Sequence, residues 1–239
     1  MNEEAVRRLC LALDNPGTLS NATEIMHKLR GKVGVVKLNS GFVEHHGMIV
    51  NTAASSDYRV WVDLKIHDIP ETVRTTVGVL RRLYVQYVTI HLWGGSKMIE
   101  AAVEAAGDEV KVLGITVLTS ISQEMFNNEL SVPGTIEEQV IHLATLGKKH
   151  GVHGVVCSPL EVQAVRGACG NDFIIVTPGV RFPDADQHDQ QRIATPGDAI
   201  RSGSNLIVMG RPLIQGGVEA AERALAEIEA ALAELAQAA

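Results

Sequence analysis

Cysteine, aromatic residues and positive charge are all scarce in this chain. Its 239 residues include three cysteines, Cys10, Cys157 and Cys169. An odd number without C-x-x-C spacing excludes a disulfide framework and a zinc-binding cysteine cluster. Cys10 and Cys157 stand in apolar runs and read as small core residues. Aromatics make up only 4 %, so the core must be built from Val, Leu, Ile and Ala. Lys and Arg number 21 against 28 Asp and Glu, for a net charge of −7. That balance excludes non-specific nucleic-acid binding, which depends on neutralising phosphates. A small anionic ligand needs only a local cluster of donors and stays open. Also missing is a run of about 18 apolar residues, the length a membrane-spanning helix requires. The opening MNEEAVRRL lacks the apolar stretch of a signal peptide. The expectation is a soluble, cytoplasmic protein with no membrane partner.

What is present is a repeated alternation. Hydrophobic residues reach 46 %, and they fall in short runs: LCLALD (9 to 14), VGVVKLN (33 to 39), YRVWVDLK (58 to 65), YVTIH (87 to 91), VKVLGITVLT (110 to 119), GVVCS (154 to 158), FIIVTP (173 to 178) and NLIVMG (205 to 210). Near-continuous apolarity rich in Val and Ile fits parallel strands covered on their faces. A stretch of helical periodicity follows each run, such as Ile136 to His150 or Pro159 to Ala168. Eight β-then-α units predict an α/β fold, the closed (β/α)₈ barrel. No Ser- or Pro-rich linker interrupts them, so residues 1–239 are expected to form a single domain. In the tail, Val218, Ala221, Leu225, Ile228, Leu232 and Leu235 form one apolar helical stripe. It reads as a last helix packed on the barrel, with a short partner seam as the alternative.

Such barrels carry their active sites at the C-terminal ends of the strands. Asp14 ends the first run, Lys37 lies near the end of the second, and DLKIHDIP (63 to 70) ends the third. Strand alternation would point Asp63 and Lys65 to the same side. Asp68 precedes Pro70 and could cap the following helix; capping does not account for Lys37, Asp63 and Lys65 at the same rim. At ~4 Å and an effective dielectric of ~20, one carboxylate–ammonium contact is worth about 4 kcal/mol before desolvation. The group reads as a catalytic charge cluster.

A second constellation follows the seventh and eighth runs, TPGVRF and MGRP. Loops at those places often hold phosphate in such barrels. Gly210 would admit a phosphate close to the backbone, and Arg181 and Arg211 add guanidinium donors. The polar stretch RFPDADQHDQQRIATP between them is a candidate lid. Adjacent His45 and His46 diverge on a helix and cannot both hold one metal. His67 and His91 read as supports for neighbouring loops, and Gly94–Gly95 as a tight turn.

DLKIHDIPETV closely resembles the D-x-K-x-x-D-I-P-x-T signature of the orotidine 5′-phosphate decarboxylase family. The likeness continues through LALD, VVKLNSGF, GITVLTS, GVVCSPLE, VTPGVR, DQQRIATPGDAI and IVMGRP. The resemblance implies a homodimeric barrel that converts orotidine monophosphate, a small-molecule substrate, to uridine monophosphate and CO₂ in de novo pyrimidine biosynthesis. It implies no metal and no organic cofactor. It further implies that Lys37, Asp63, Lys65 and Asp68 form an alternating charge array, with Lys65 as proton donor and Asp68 contributed by the partner subunit. Asp14 and Lys37 match ribose contacts, as does Thr72 of the partner subunit. Thr119, with Ser120 beside it, matches the pyrimidine contact. Arg181, Gln190, Gly210 and Arg211 match the phosphate grip. The chain departs from the usual pattern at Glu71, at Trp93 and in Asn39 to His46, none of which replaces a catalytic charge. The rivals are a magnesium-dependent barrel enzyme acting on sugar phosphates, which Lys37 disfavours, and a catalytically silent phosphate-binding barrel.

Overall fold

The computed structural model describes residues 2–183 and 194–238. Eight parallel strands run β1 (Leu9–Ala12), β2 (Val35–Leu38), β3 (Arg59–Ile66), β4 (Tyr87–His91), β5 (Lys111–Ile115), β6 (Gly154–Val156), β7 (Ile174–Thr177) and β8 (Leu206–Met209). Each pairs with its sequence neighbour, and β8 pairs with β1 to close the barrel. All eight apolar runs therefore contain strands, most of them shorter than the run, while β4 matches its run and β3 extends to Ile66. The α-helices are α1 (Glu3–Arg8), α2 (Leu19–Leu29), α3 (Ser40–Ser55), α4 (Pro70–Arg81), α5 (Gly95–Ala106), α6 (Ile136–Lys149), α7 (Val162–Cys169), α8 (Pro196–Arg201) and α9 (Arg211–Ala238). Among the described residues, no helix is long and apolar enough to cross a membrane.

Alternation along the strands separates two cores. Cys10, Ala12, Val35, Trp61, Tyr87, Leu113, Val176, Leu206 and Val208 pack together. They share strand parity with Lys37 and Asp63 and so fill the barrel interior. A larger cluster of Val, Leu, Ile and Ala lies between the sheet and the helices. Close packing at one position demands glycine: a Cβ on Gly154 would lie 2.2 Å from the Ile174 carbonyl oxygen. All three cysteines are buried and free.

Helix starts follow local chemistry. Thr135 and Glu138 form a reciprocal capping box at α6, and Thr18 and Thr195 cap α2 and α8 with their hydroxyls. Asp68 does not cap α4. The cap position is Ile69, and Asp68 Oδ1 accepts from the adjacent Ile69 N–H, at 2.7 Å. Pro70 at the first helical position supplies the start instead.

The C-terminal stripe is only partly used. Ala221, Leu225 and Ile228 are buried, whereas Val218 and Leu235 are exposed. The helix turns sharply at Gly217, with φ 57° and ψ −136°, just ahead of the stripe, whose two end residues are the exposed ones. A second sharp turn, at His46 (φ 51°, ψ −140°), divides α3.

Candidate active site

The C-terminal rim encloses a cavity of about 710 Å³. Asp14, Lys37, Asp63, Lys65, Thr119, Arg181, Gly210 and Arg211 all line it. Residues from six different strand ends thus meet in one place, although they are spread across the whole sequence.

The charged groups form a continuous chain. Lys37 Nζ lies 2.7 Å from Asp14 Oδ1 and 3.2 Å from Asp63 Oδ2. Lys65 Nζ lies 2.7 Å from that same Asp63 oxygen. Asp63 is therefore shared between two ammonium groups. Its other oxygen accepts from the Thr89 hydroxyl at 2.8 Å. Burial alone would lower the Lys37 pKa, but the facing Asp63 and Asp14 carboxylates outweigh it and hold the ammonium above its ordinary value. A buried lysine kept charged by two carboxylates is suited to fixing an anionic or hydroxylated ligand.

Lys65 reaches this position by an unforeseen route. Simple alternation would carry it to the cavity, yet its φ is +49°, in the left-handed region. The β3–β4 register shifts between Val62 and Ile66. The displaced Lys65 N–H donates to Thr89 Oγ1 at 3.0 Å. One threonine hydroxyl thus receives the strained backbone and orients the Asp63 carboxylate. Such a backbone costs on the order of 1–3 kcal/mol and persists only where surrounding contacts fix it. Sequence reasoning missed Thr89, because a Thr inside YVTIH looks like any inward strand residue.

Asp68 and Thr72 do not join the cavity. Asp68 is exposed and, among the described residues, forms no ion pair with either lysine. Gln190 lies outside the described residues, as does most of the candidate lid. The lid's base is visible: Val180 and Ala194 form a parallel bridge, and the Arg181 N–H donates to Ala194 O at 3.0 Å. Beside it, the Arg223 guanidinium lies 4.1 Å above the Phe182 ring. His67 and His91 stack with ring centroids 5.4 Å apart. Burial lowers the His91 pKa, and the nearby His67 and Lys65 lower it further.

Comparison with known proteins agrees with this geometry. The model of the orotidine 5′-phosphate decarboxylase / HUMPS family matches residues 7–225. A protein of Syntrophotalea carbinolica named orotidine 5′-phosphate decarboxylase is 44 % identical over 242 residues, spanning 97 % of this chain and 98 % of the relative. One of Heliobacterium modesticaldum with the same name is 40 % identical over 241 residues, spanning 96 % and 99 %. The crystal structure of orotidine 5′-phosphate decarboxylase from Lactobacillus acidophilus superposes with a TM-score of 0.79 at 33 % identity, covering 93 % of this chain and 99 % of that one. The chain belongs to the orotidine 5′-phosphate decarboxylase / HUMPS family.

Proposed function

We propose that this chain is a carboxy-lyase that converts orotidine 5′-monophosphate to uridine 5′-monophosphate and CO₂, with Lys65 as the proton donor. One observation carries the proposal. A single cavity joins the Asp14–Lys37–Asp63–Lys65 charge chain, at the ends of β1 to β3, to the Arg181–Gly210–Arg211 group, after β7 and β8. A nucleotide has the same division, with a phosphate at one end and a reacting base at the other.

The chemistry calls for such an array. Breaking the bond from C6 of the pyrimidine to its carboxylate leaves the electron pair on C6, in the ring plane. The ring π-system does not delocalise a pair held there. Fixed charge at the developing carbanion must therefore lower the barrier. The Lys65 ammonium supplies that charge and then the proton. The C6 pair takes the proton, CO₂ departs, and the resulting amine recovers a proton from water. Asp63 holds the ammonium in place. Lys37 and Asp14 are suited to the ribose hydroxyls, and Thr119 to the pyrimidine edge. Arg181, Gly210 and Arg211 suit the phosphate, with Gln190 completing that grip. Binding energy gained at the phosphate can then favour the transition state at the distant carbon. The rival that uses a divalent cation needs free carboxylates, whereas Asp14 and Asp63 are both engaged by ammonium groups.

Residues 1–239 are read as one domain, since α9 packs against α1, α2 and α8 and returns the chain to its start. The functional unit is a homodimer in which the partner subunit supplies Asp68 and Thr72 to each site. Supporting this, Asp68 is exposed and, among the described residues, forms no ion pair with the lysines of its own chain, and its neighbour Ile69 is 67 % exposed. The product places the enzyme at the end of de novo pyrimidine nucleotide synthesis. The test is release of CO₂ from orotidine monophosphate with a metal chelator present. Turnover unchanged by chelator is expected, and turnover that requires added divalent metal would overturn the proposal.

A further inference from the structure

We propose that Trp93 is a positioning residue for the segment that contacts the pyrimidine, Thr116 to Thr119; this rests on the decarboxylase reading above. The side chain stands at the rim, in the 3-10 turn Leu92–Gly94 that follows β4. Its neighbour Leu92 is fully buried, whereas Trp93 is 40 % exposed. Leu92 thus does the packing, and burial alone does not explain a tryptophan beside it.

The indole N–H provides the explanation. Trp93 Nε1 donates to the Thr116 carbonyl oxygen at 3.0 Å. The β4–β5 pairing ends at His91–Ile115, one residue before Thr116. Past that point β4 has curled into its 3-10 turn and its main chain no longer runs beside β5. The indole N–H crosses the resulting gap and continues the ladder by one bond. On its other side Thr116 is held by β6, where its hydroxyl donates to Val156 O at 2.9 Å. Thr116 is fully buried, and the residues just after it, Val117, Leu118 and Thr119, line the cavity. The bond from Trp93 therefore fixes the point from which the segment enters the site. The phosphate group of residues, Arg181, Gly210 and Arg211, leaves β7 and β8, which pair with neither β4 nor β5. A fault in the Trp93 brace should accordingly be felt by the base and not by the phosphate.

The two ends can be read separately by calorimetric titration with uridine monophosphate and with ribose 5-phosphate, which lacks the base. Trp93→Phe keeps an aromatic body and removes the donor. It should weaken uridine monophosphate about three- to tenfold, the range for one lost hydrogen bond. Ribose 5-phosphate should change less than about twofold, and the dimer should persist in sedimentation. Trp93→Tyr, whose hydroxyl lies elsewhere than the indole N–H, should behave alike and serves if the first variant does not fold. Wild-type protein that binds both ligands, with variants that lose both equally or neither, overturns the role of Trp93 alone. Wild-type protein that binds ribose 5-phosphate but not uridine monophosphate would contradict the decarboxylase reading and this assignment with it.

Discussion

The two ends of the barrel both hold cations away from full exposure, and they satisfy them in opposite ways. At the N-terminal end Arg166 donates to the carbonyl oxygens of Gly170, Asn171, Phe173 and Gly203 and to Asn205 Oδ1. Arg59 likewise donates to the Tyr87 hydroxyl and the Arg7 carbonyl oxygen. Every acceptor there is neutral, belongs to the same chain and ties loops to strand starts. At the C-terminal end Lys37 and Lys65 lean on carboxylates, and Asp68 hangs outside the cluster. The first end is closed within one chain. The second keeps reactive charge facing a cavity, with one member of the expected array still to be supplied. Stability and chemistry are thus assigned to different ends, which substitutions can test.

The largest effect is expected at the open end. Lys65→Ala should reduce kcat/KM on orotidine monophosphate by at least about a thousandfold, ~4 kcal/mol. Its melting temperature should stay near that of wild type, since removing the side chain also relieves the crowding at Asp63. Activity within about tenfold of wild type, a loss of only ~1.4 kcal/mol, would remove Lys65 from the mechanism. Arg166→Ala should give the mirror image. It leaves several exposed or partly buried carbonyl groups without their donor and should destabilise by about 1–3 kcal/mol in denaturant unfolding. The folded fraction should retain wild-type kcat, and a proportional loss of kcat would erase the division between the ends.

Smaller effects sharpen the contrast within the open end. Arg211→Ala should weaken phosphate-bearing ligands by ~1.5–3 kcal/mol and hardly affect the nucleoside. Equal losses on both would put Arg211 outside the phosphate group. Acid should act through His91, whose folded pKa is depressed by burial and by His67 and Lys65, against the opposing Asp63. Below the unfolded value of ~6.5 the unfolded chain binds more protons, so stability falls as pH drops from there towards the folded pKa. His91→Asn should flatten the fall in unfolding midpoint between about pH 7.5 and about pH 5.5. An unchanged slope would show that His91 does not report on the rim. Trp61, between the two ends, is buried, and its indole N–H has no hydrogen-bond partner among the described residues. Trp61→Phe removes that donor as well as volume, so stability should change by less than about 1 kcal/mol. A large loss would mean that the N–H has a partner essential to the fold.

The barrel was legible because each strand lies in a short, near-continuous apolar run rich in Val, Ile and Leu, as a strand covered on both faces requires. Asp63, Lys65, Lys37, Arg181 and Arg211 were legible because charges rarely sit at the ends of such runs without use. Three features were not. The left-handed Lys65 depends on a register shift against β4 and on the Thr89 hydroxyl, a tertiary arrangement with no local signal in DLKIHDIP. Asp68 has the spacing of a helix cap, but the chain placed Ile69 at the cap and let Pro70 start the helix. Val218 and Leu235 fit the apolar stripe of α9, but they lie at its two ends and both are exposed. Pattern gave the faces in each case, while the packing of distant residues determined the detail.

The central claim is that the open end is completed by a second copy of the chain, and mixing two inactive variants tests it directly. Lys65→Ala and Asp68→Ala proteins are exchanged at equal concentrations, with a tag on one to prove that mixed dimers form. If each site takes Lys65 from one subunit and Asp68 from the other, a mixed dimer has one site with both defects and one with neither. Random exchange should then restore about a quarter of all sites, and with them about a quarter of wild-type turnover. If both groups served a site within one chain, every site would still lack one of them. Proven exchange without recovered turnover would contradict the claim.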